Sequence, residues 1–396
     1  MKNTNIYQTT DFNRNKPNSK TTSIFEFHWF KRITLISTLL YGLLVSIFPA
    51  KAQDIEKKDK ITFSGYTDFY FASFSDSLGA NELQKVATVS PRSNRFGINI
   101  AQIGVHYTND KVRGNLILHY GDIAEGTWDP DFPMLQVANV GFKLTEGWWV
   151  DAGFFTTHIG TEGFLPKDNF TSTTAVATYN EPFYQSGARL SYEGSDKVSF
   201  QLWALSGYNF FLDANDAKSV GVYFSYMPQE NLSFTYTNLF GRESSDGQQP
   251  KQFRTYHNAY VNYNPTDKLY FILGGDLGTQ SNSSLEDSSD GALMYNALFT
   301  TRYQFTEKYS VTGRVEVFND EDGFISGTYT TTSGIQEGLQ LTGYTLSTEY
   351  KPTASSYIRV EGRYIRTVDE LEIFYDGNFT NNRLEGMVTM GFYFNQ

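Results

Sequence analysis

The chain has no cysteine, which excludes disulfides, thiolate metal sites and a lipid-bearing N-terminal cysteine. Proline is scarce, 11 of 396 residues, so no Pro-rich spacer is present. Basic residues are in deficit: 32 Lys and Arg stand against 43 Asp and Glu, a formal net charge of −11. Residues 1–52 are themselves basic, so the remainder is more acidic still. A surface of that sign lacks the basic footprint a nucleic-acid partner needs, and none is expected. Histidine is limited to His28, His106, His119, His158 and His257, none of them in a HExxH motif or a recognisable triad. Phosphate-cradling and dinucleotide glycine loops are missing, and the acidic clusters at 286–290 and 319–323 lack EF-hand spacing. No cofactor, resident metal or catalytic residue is therefore expected. Beyond residue 52, no run approaches the roughly 18 consecutive apolar residues of a membrane-spanning helix.

What is abundant points to strands. Aromatics make up 16% of the chain, with 33 Phe and 27 Tyr, and Gly occurs 33 times. That mix suits many strands joined by turns. The mean hydropathy of −0.41 is too polar for a helical membrane protein. It is compatible with a membrane barrel, in which only alternate strand residues face lipid.

Residues 1–52 read as a secretory signal with an extended polar N-region. Lys31-Arg32 precede the apolar run 33–48, and Pro49-Ala50-Lys51-Ala52 gives a small-x-small cleavage site before Gln53. Residues 53–60 form a charged periplasmic lead, and 61–396 carry the strand pattern. Candidate strands of about ten residues recur about 16 times, the length a tilted membrane strand needs. Short turns such as Asn109-Asp110 and Thr145-Glu146-Gly147 alternate strictly with long loops. In bacterial barrels the short turns are periplasmic and the long loops extracellular.

Tyrosine recurs just before the short turns, at Tyr107, Tyr192, Tyr226, Tyr263, Tyr303 and Tyr350. Trp148, Tyr270, Tyr309 and Tyr357 follow them. Aromatics at one depth form the interfacial girdle of a membrane barrel. Within strands, one parity is apolar and the other charged. Arg314 and Glu316 share a face opposite Val315 and Val317, and Arg359, Glu361 and Arg363 share one opposite Val360. A closed sheet this large cannot fill its lumen with strand side chains, so the charged parity must face an aqueous lumen and the apolar parity lipid. A phase slip near Ala101-Gln102-Ile103 suggests a bulge in the second strand. The fold class is thus all-β, an antiparallel transmembrane barrel.

One connection is far longer than a hairpin loop. Residues 157–183 leave strand periodicity and carry His158, Glu162, Lys167, Asp168, Glu181 and the cluster Thr171-Ser172-Thr173-Thr174. We read them as a loop folded back into the lumen. Glu162, Lys167, Asp168 and Glu181 are the candidate constriction residues, and Arg113, Arg189, Arg314, Arg359 and Arg363 the candidate wall residues. Acid on the loop facing base on the wall would set a transverse field across the narrowest point.

The stretch Trp149-Val150-Asp151-Ala152-Gly153-Phe154-Phe155-Thr156-Thr157-His158-Ile159-Gly160-Thr161-Glu162-Gly163 resembles the OmpL-like outer-membrane β-barrel porins. The return Asn180-Glu181-Pro182-Phe183-Tyr184-Gln185-Ser186-Gly187-Ala188-Arg189 is similar to theirs. The resemblance implies an outer-membrane porin, without catalytic residues, passing small hydrophilic solutes or ions. Outer-membrane lipid, the barrel assembly machinery and a homotrimer are the partners expected. The C-terminal aromatic run Phe392-Tyr393-Phe394 suits barrel assembly, although Asn395-Gln396 displace it from the end. Two other readings predict different behaviour: a non-conducting barrel for adhesion or envelope structure, and an outer-membrane hydrolase built around His119.

Overall fold

The computed structural model describes residues 59–395, apart from residues 77, 80, 88, 213 and 214. The expected signal sequence and most of the expected periplasmic lead lie outside the described residues. The strands are β1 Lys60–Phe74, β2 Arg95–Thr108, β3 Val112–Tyr120, β4 Leu135–Thr145, β5 Trp148–Thr156, β6 Tyr184–Tyr192 and β7 Val198–Leu205. They continue with β8 Ser219–Gln229, β9 Leu232–Arg242, β10 Phe253–Thr266, β11 Leu269–Gln280, β12 Ala292–Gln304 and β13 Tyr309–Asn319. A hairpin of β14 Thr328–Thr330 and β15 Gln336–Gly338 precedes β16 Gln340–Tyr350 and β17 Ser356–Thr367. A second small hairpin, β18 Phe374–Tyr375 and β19 Phe379–Thr380, precedes the last strand, β20 Asn382–Asn395. Sixteen of these strands close one antiparallel barrel, in chain order without the two hairpins, and β20 pairs with β1.

Local chemistry accounts for the tight turns. Between β2 and β3, Asn109 Oδ1 accepts the backbone N–H groups of Lys111 at 2.9 Å and Val112 at 2.7 Å. The side chain thereby replaces a backbone turn. The two faces follow the parity of the sequence. Val315, Val317 and Val360 are exposed toward lipid, whereas Arg314, Arg359 and Arg363 are only 1%, 2% and 3% exposed. Most of the aromatic positions at the turns face outward. Tyr226, Tyr263, Tyr303 and Tyr309 are exposed, and Tyr309 stacks on Tyr350 with centroids 4.7 Å apart.

Three details differ from the sequence reading. Tyr357 and Tyr270 are not part of the girdle: they have the lumen parity of Arg359 and Asp276. Tyr357 bonds to Asp68 inside the barrel at 2.5 Å, and Tyr270 packs edge-on against Phe170. The bulge of β2 falls at Asn99 rather than at 101–103, because the register against β1 shifts between Asp68 and Phe69. Asn99 is fixed there by donating to Asp68 Oδ1 at 2.6 Å and accepting Ser90 N–H at 2.5 Å.

Much of the lumen is also packed rather than aqueous. Ile123, Trp128, Phe164, Phe183 and Phe211, all from loops, pack on Tyr66, Ile100 and Tyr357. Ile159, Val176, Leu371 and Ile373 join Trp203, Met294 and Ile365 in a second apolar cluster. Strand side chains alone cannot fill so wide a barrel; loops with apolar side chains do so here.

The backbone at the start of the long loop depends on glycine. Gly153 in β5 has φ +134°, and a Cβ there would collide with the Ala138 carbonyl oxygen. We expect Gly153→Ala to destabilise the folded barrel by about 1–3 kcal/mol. Gly114→Ala, whose Cβ would meet only Asn139 O at an ordinary 3.5 Å, should be tolerated. Thermal unfolding followed by the heat-modifiable gel mobility of the two variants checks this.

Candidate pore constriction

Residues 157–183 leave the barrel wall where Thr157 N–H donates to Phe183 O at 3.2 Å, closing the neck of the loop. Inside the lumen they form a 3₁₀ turn, Pro166–Asp168, and a short helix, Val176–Asn180. Gly160, with φ +125°, allows the first bend: a Cβ there would lie 2.6 Å from Glu181 Oε2 and 3.0 Å from Glu162 O. The rest of the loop has no ladder of its own, so its buried backbone groups need partners from elsewhere.

The wall from β13 to β20 supplies them. Arg314 donates to Glu162 at 3.1 Å, to Thr171 Oγ1 at 3.0 Å and to the carbonyls of Thr173 and Thr174 at 2.7 and 3.1 Å. Arg359 donates to the carbonyls of Pro166, Asn169 and Thr171 at 2.7–2.8 Å. Carboxylates receive the N–H groups of the same segment. Glu361 accepts from Ser172 N and Thr173 N at 2.6 and 2.9 Å, and Glu316 from Val176 N at 2.6 Å. Guanidinium groups thus take the carbonyls of the Thr/Ser cluster and carboxylates take its amides, each bond charge-assisted.

The candidate residues therefore occupy different situations. Glu162 is bonded to Arg314 rather than facing it across an opening. Arg363 pairs with Glu316 at 2.7 Å, and Arg359 pairs with Glu349 at 2.7 Å. Lys167 pairs with its neighbour Asp168 at 2.7 Å. Arg113 and Arg189 share Asp151 on β5, at 2.6 and 3.0 Å, and Arg113 also reaches Glu193 at 2.9 Å. Sequence reasoning did not single out Asp151, Glu349 or Glu385. Their lumen parity was visible, but their choice of partner depends on register across strands.

Between the loop and the wall of β6 to β10 lies a cavity of about 470 Å³. Glu162, Asp168 and Glu181 line it from the loop, and Arg189, Gln201, Trp203, Tyr223 and Tyr260 from the wall. His158 also lines it. Its ring nitrogens lie 2.9 Å from Gln185 Oε1 and Asn238 O, and its ring stacks on Trp203. Burial pushes His158 down to about 4, so it is uncharged at neutral pH. Burial, reinforced by the carboxylates of Asp276 and Glu162, holds Glu181 well above the usual carboxylate range.

Among the described residues, no catalytic arrangement forms at His119. Its Nδ1 meets Gln136 Nε2 at 3.1 Å and its ring lies edge-on to Trp128, with no hydroxyl bonded to it. Ser64, His106 and Asn115 do form a chain, with 2.8 Å between each pair. Asn115 continues it by donating to Asn139 at 2.9 Å. The surrounding backbone N–H groups belong to ladders on both sides of β1 and β2. They offer no oxyanion hole, and the row is a polar lining of the lumen.

Comparison with known proteins agrees with the architecture. No curated protein matches the chain. Among solved structures, it is similar to an anion-selective porin from Comamonas acidovorans, at TM-score 0.59 and 10% identity, covering 85% of this chain and 100% of that one. It is also similar to the outer membrane channel DcaP of Acinetobacter baumannii, at TM-score 0.58 and 10% identity, covering 87% and 100%. Pseudomonas putida OprB follows at TM-score 0.55 and 11% identity, covering 86% and 95%. At these identities the likeness is one of fold. The family described as "Putative beta-barrel porin-2, OmpL-like" matches residues 60–394. The chain belongs to this OmpL-like family of outer-membrane β-barrel porins.

Proposed function

We propose that this porin is a passive diffusion channel for small hydrophilic solutes or ions, narrowed by the loop 157–183. The observation that carries the reading is the clamping of that loop to one side of the lumen, which leaves the polar cavity against β6 to β10. Solutes pass along that side, between the loop carboxylates Glu162, Asp168 and Glu181 and the wall cation Arg189. All the wall arginines are held in ion pairs: Arg113, Arg314, Arg359 and Arg363 act as fasteners of the wall and loop, while Arg189, paired with Asp151, also faces the cavity. Of the three loop carboxylates, Glu162 is neutralised by Arg314 and Glu181 is held above the usual carboxylate range, so the exposed carboxylate of Asp168 weighs most in the field at the passage, which favours cations. Passage requires no catalysis and no cofactor.

The N-terminal signal directs the chain across the inner membrane, and the aromatic end of β20 serves barrel assembly. A homotrimer is proposed by analogy with Vibrio cholerae OmpT, of which one solved structure is described as a trimer form, at 13% identity and TM-score 0.53. A second reading, a non-conducting barrel for adhesion or envelope structure, draws support from the apolar packing of loops inside the lumen.

Single-channel recording of the refolded protein in a planar bilayer separates the two. Stable conductance steps are expected, with a cation-favouring reversal potential in a salt gradient. A well-folded barrel that never conducts would establish the second reading. Asp168→Asn should move the reversal potential toward anions, an effect that shrinks at high salt as screening shortens the range of the field. Arg314→Met leaves Glu162 buried without its partner, at a cost of about 3–5 kcal/mol. We expect the loop to detach, giving larger and noisier steps and new protease cleavage within 157–183.

A further inference from the structure

Glu181 differs from the carboxylates that hold or brace the loop, of which Glu361 is satisfied by the Ser172 and Thr173 amides. Glu162, Glu316, Glu349 and Glu385 are each ion-paired with an arginine. Glu181 is 4% exposed and lies within hydrogen-bonding reach of a second carboxylate, Asp276 of β11, which is 5% exposed. Among the described residues, neither forms an ion pair with a lysine or arginine. Two carboxylates buried side by side without a cation are strongly unfavourable when ionised.

The surroundings are rich in oxygen. Asp276 stands in register with Asn258 of β10 on one side and Asn296 of β12 on the other. All three side chains are buried at the same height of the wall. The amide nitrogens point elsewhere or brace the site: Asn258 donates to Thr161 Oγ1 of the loop at 3.0 Å, and Asn296 donates to Asp276 Oδ2. Asn258 Oδ1 and Asn296 Oδ1 have no hydrogen-bond partner, and the fully buried Tyr256 hydroxyl finds its partner only in Asp276. Three buried neutral oxygens beside a pair of carboxylates describe the ligand set of a hard cation. Acids alone do not reveal such a site, because three neutral oxygens complete it.

We infer that Glu181 and Asp276, with the side-chain oxygens of Asn258, Asn296 and Tyr256, form a calcium site that ties the constriction loop to the wall of the barrel. Two carboxylates neutralise a divalent charge. Mixed carboxylate, amide and hydroxyl oxygens in irregular geometry suit Ca²⁺, which takes 6–8 oxygens at about 2.3–2.6 Å. Mg²⁺ prefers a regular octahedron and keeps several waters, which a site walled by three strands and a loop does not favour. The site stands opposite the Arg314 clamp in function: Arg314 fastens the middle of the loop to β13, and the cation fastens its return to β11. It does not rest on the channel reading, since it concerns the folded barrel whether or not that barrel conducts.

The test uses the full-length protein, folded in detergent and stripped with a chelator, with ⁴⁵Ca²⁺ binding measured by equilibrium dialysis. We expect one ion per chain, with Kd on the order of 10⁻⁴–10⁻³ M, as in extracellular calcium modules. Asp276→Asn and Glu181→Gln, which remove a buried charge without changing shape, should each weaken binding roughly tenfold or more. Asp287→Asn, in an acidic outer loop, should leave binding unchanged. Calcium should also raise the unfolding temperature of the parent protein but not of the two site variants. Gel mobility shows that each variant is folded. No calcium bound at about 10 mM, ten times the weak end of that range, would overturn the inference and leave a carboxyl pair sharing a proton. Equal binding in the parent and both site variants would overturn it as well, by placing calcium elsewhere.

Discussion

The structure depends on one requirement: a loop with no strand partner has been placed inside a barrel, and each of its buried backbone groups must still be satisfied. The strands have spent their own amides and carbonyls on closure, so only lumen side chains remain to do this. Arg314 and Arg359 can each serve several carbonyls at once because a guanidinium carries five donors in a fixed fork. Glu316 and Glu361 answer with acceptors for the amides of Ser172, Thr173 and Val176. A neutral side chain in any of these places would offer fewer donors or acceptors than the charged one and leave some groups bare. The need for multidentate charge explains why this part of the wall is rich in arginine and glutamate although so little of it meets water.

That requirement divides the barrel into two walls of different character. From β12 to β20 the lumen face is a lattice of ion pairs, Arg302 and Arg359 on Glu349, Arg314 and Arg363 on Glu316, Arg363 and Arg383 on Glu385. From β6 to β10 it carries Gln201, Trp203, Tyr223 and Tyr260 along the open cavity. The first wall holds and the second lines. Charges that are paired at 2.6–3.1 Å contribute little field beyond their own neighbourhood. A count of lumen charges therefore overstates how many can act on a passing ion.

The fold was legible because its signals are periodic. Alternation in Val315-Glu316-Val317 or Arg359-Val360-Glu361 fixes both the strand and its faces, and a break in alternation as long as 157–183 stands out against short turns. The same periodicity would have placed Tyr357 in the lumen, since it shares parity with Arg359; its position beside a turn outweighed that in the sequence reading. Other features were not legible, for physical reasons. The Asn99 bulge is settled by a contact with Asp68, 31 residues away. Which carboxylate each arginine chooses depends on cross-strand register. That Leu371, Ile373 and Phe164 turn inward rather than toward solvent depends on loop geometry, which carries no period.

The packing of loops inside the lumen bears on how such a barrel can be both firm and permeable. A wide sheet cylinder with only charged side chains inside would leave its loops free, and a free loop cannot set a fixed aperture. Here apolar contacts of Phe164, Phe183 and Trp128 with Tyr66 and Tyr357 fix the loop on one side. Val176 and Ile159 lock into the cluster of Met294, Phe318 and Ile365 on another. Hydrophobic contacts supply adhesion without direction, and the arginine and glutamate bonds supply direction. With both in place the loop becomes part of the wall, and the space it leaves is set by Gly160 and by the short neck at Thr157 and Phe183. On the proposed channel reading, the aperture is thus a property of where the loop is held, not of the diameter of the sheet.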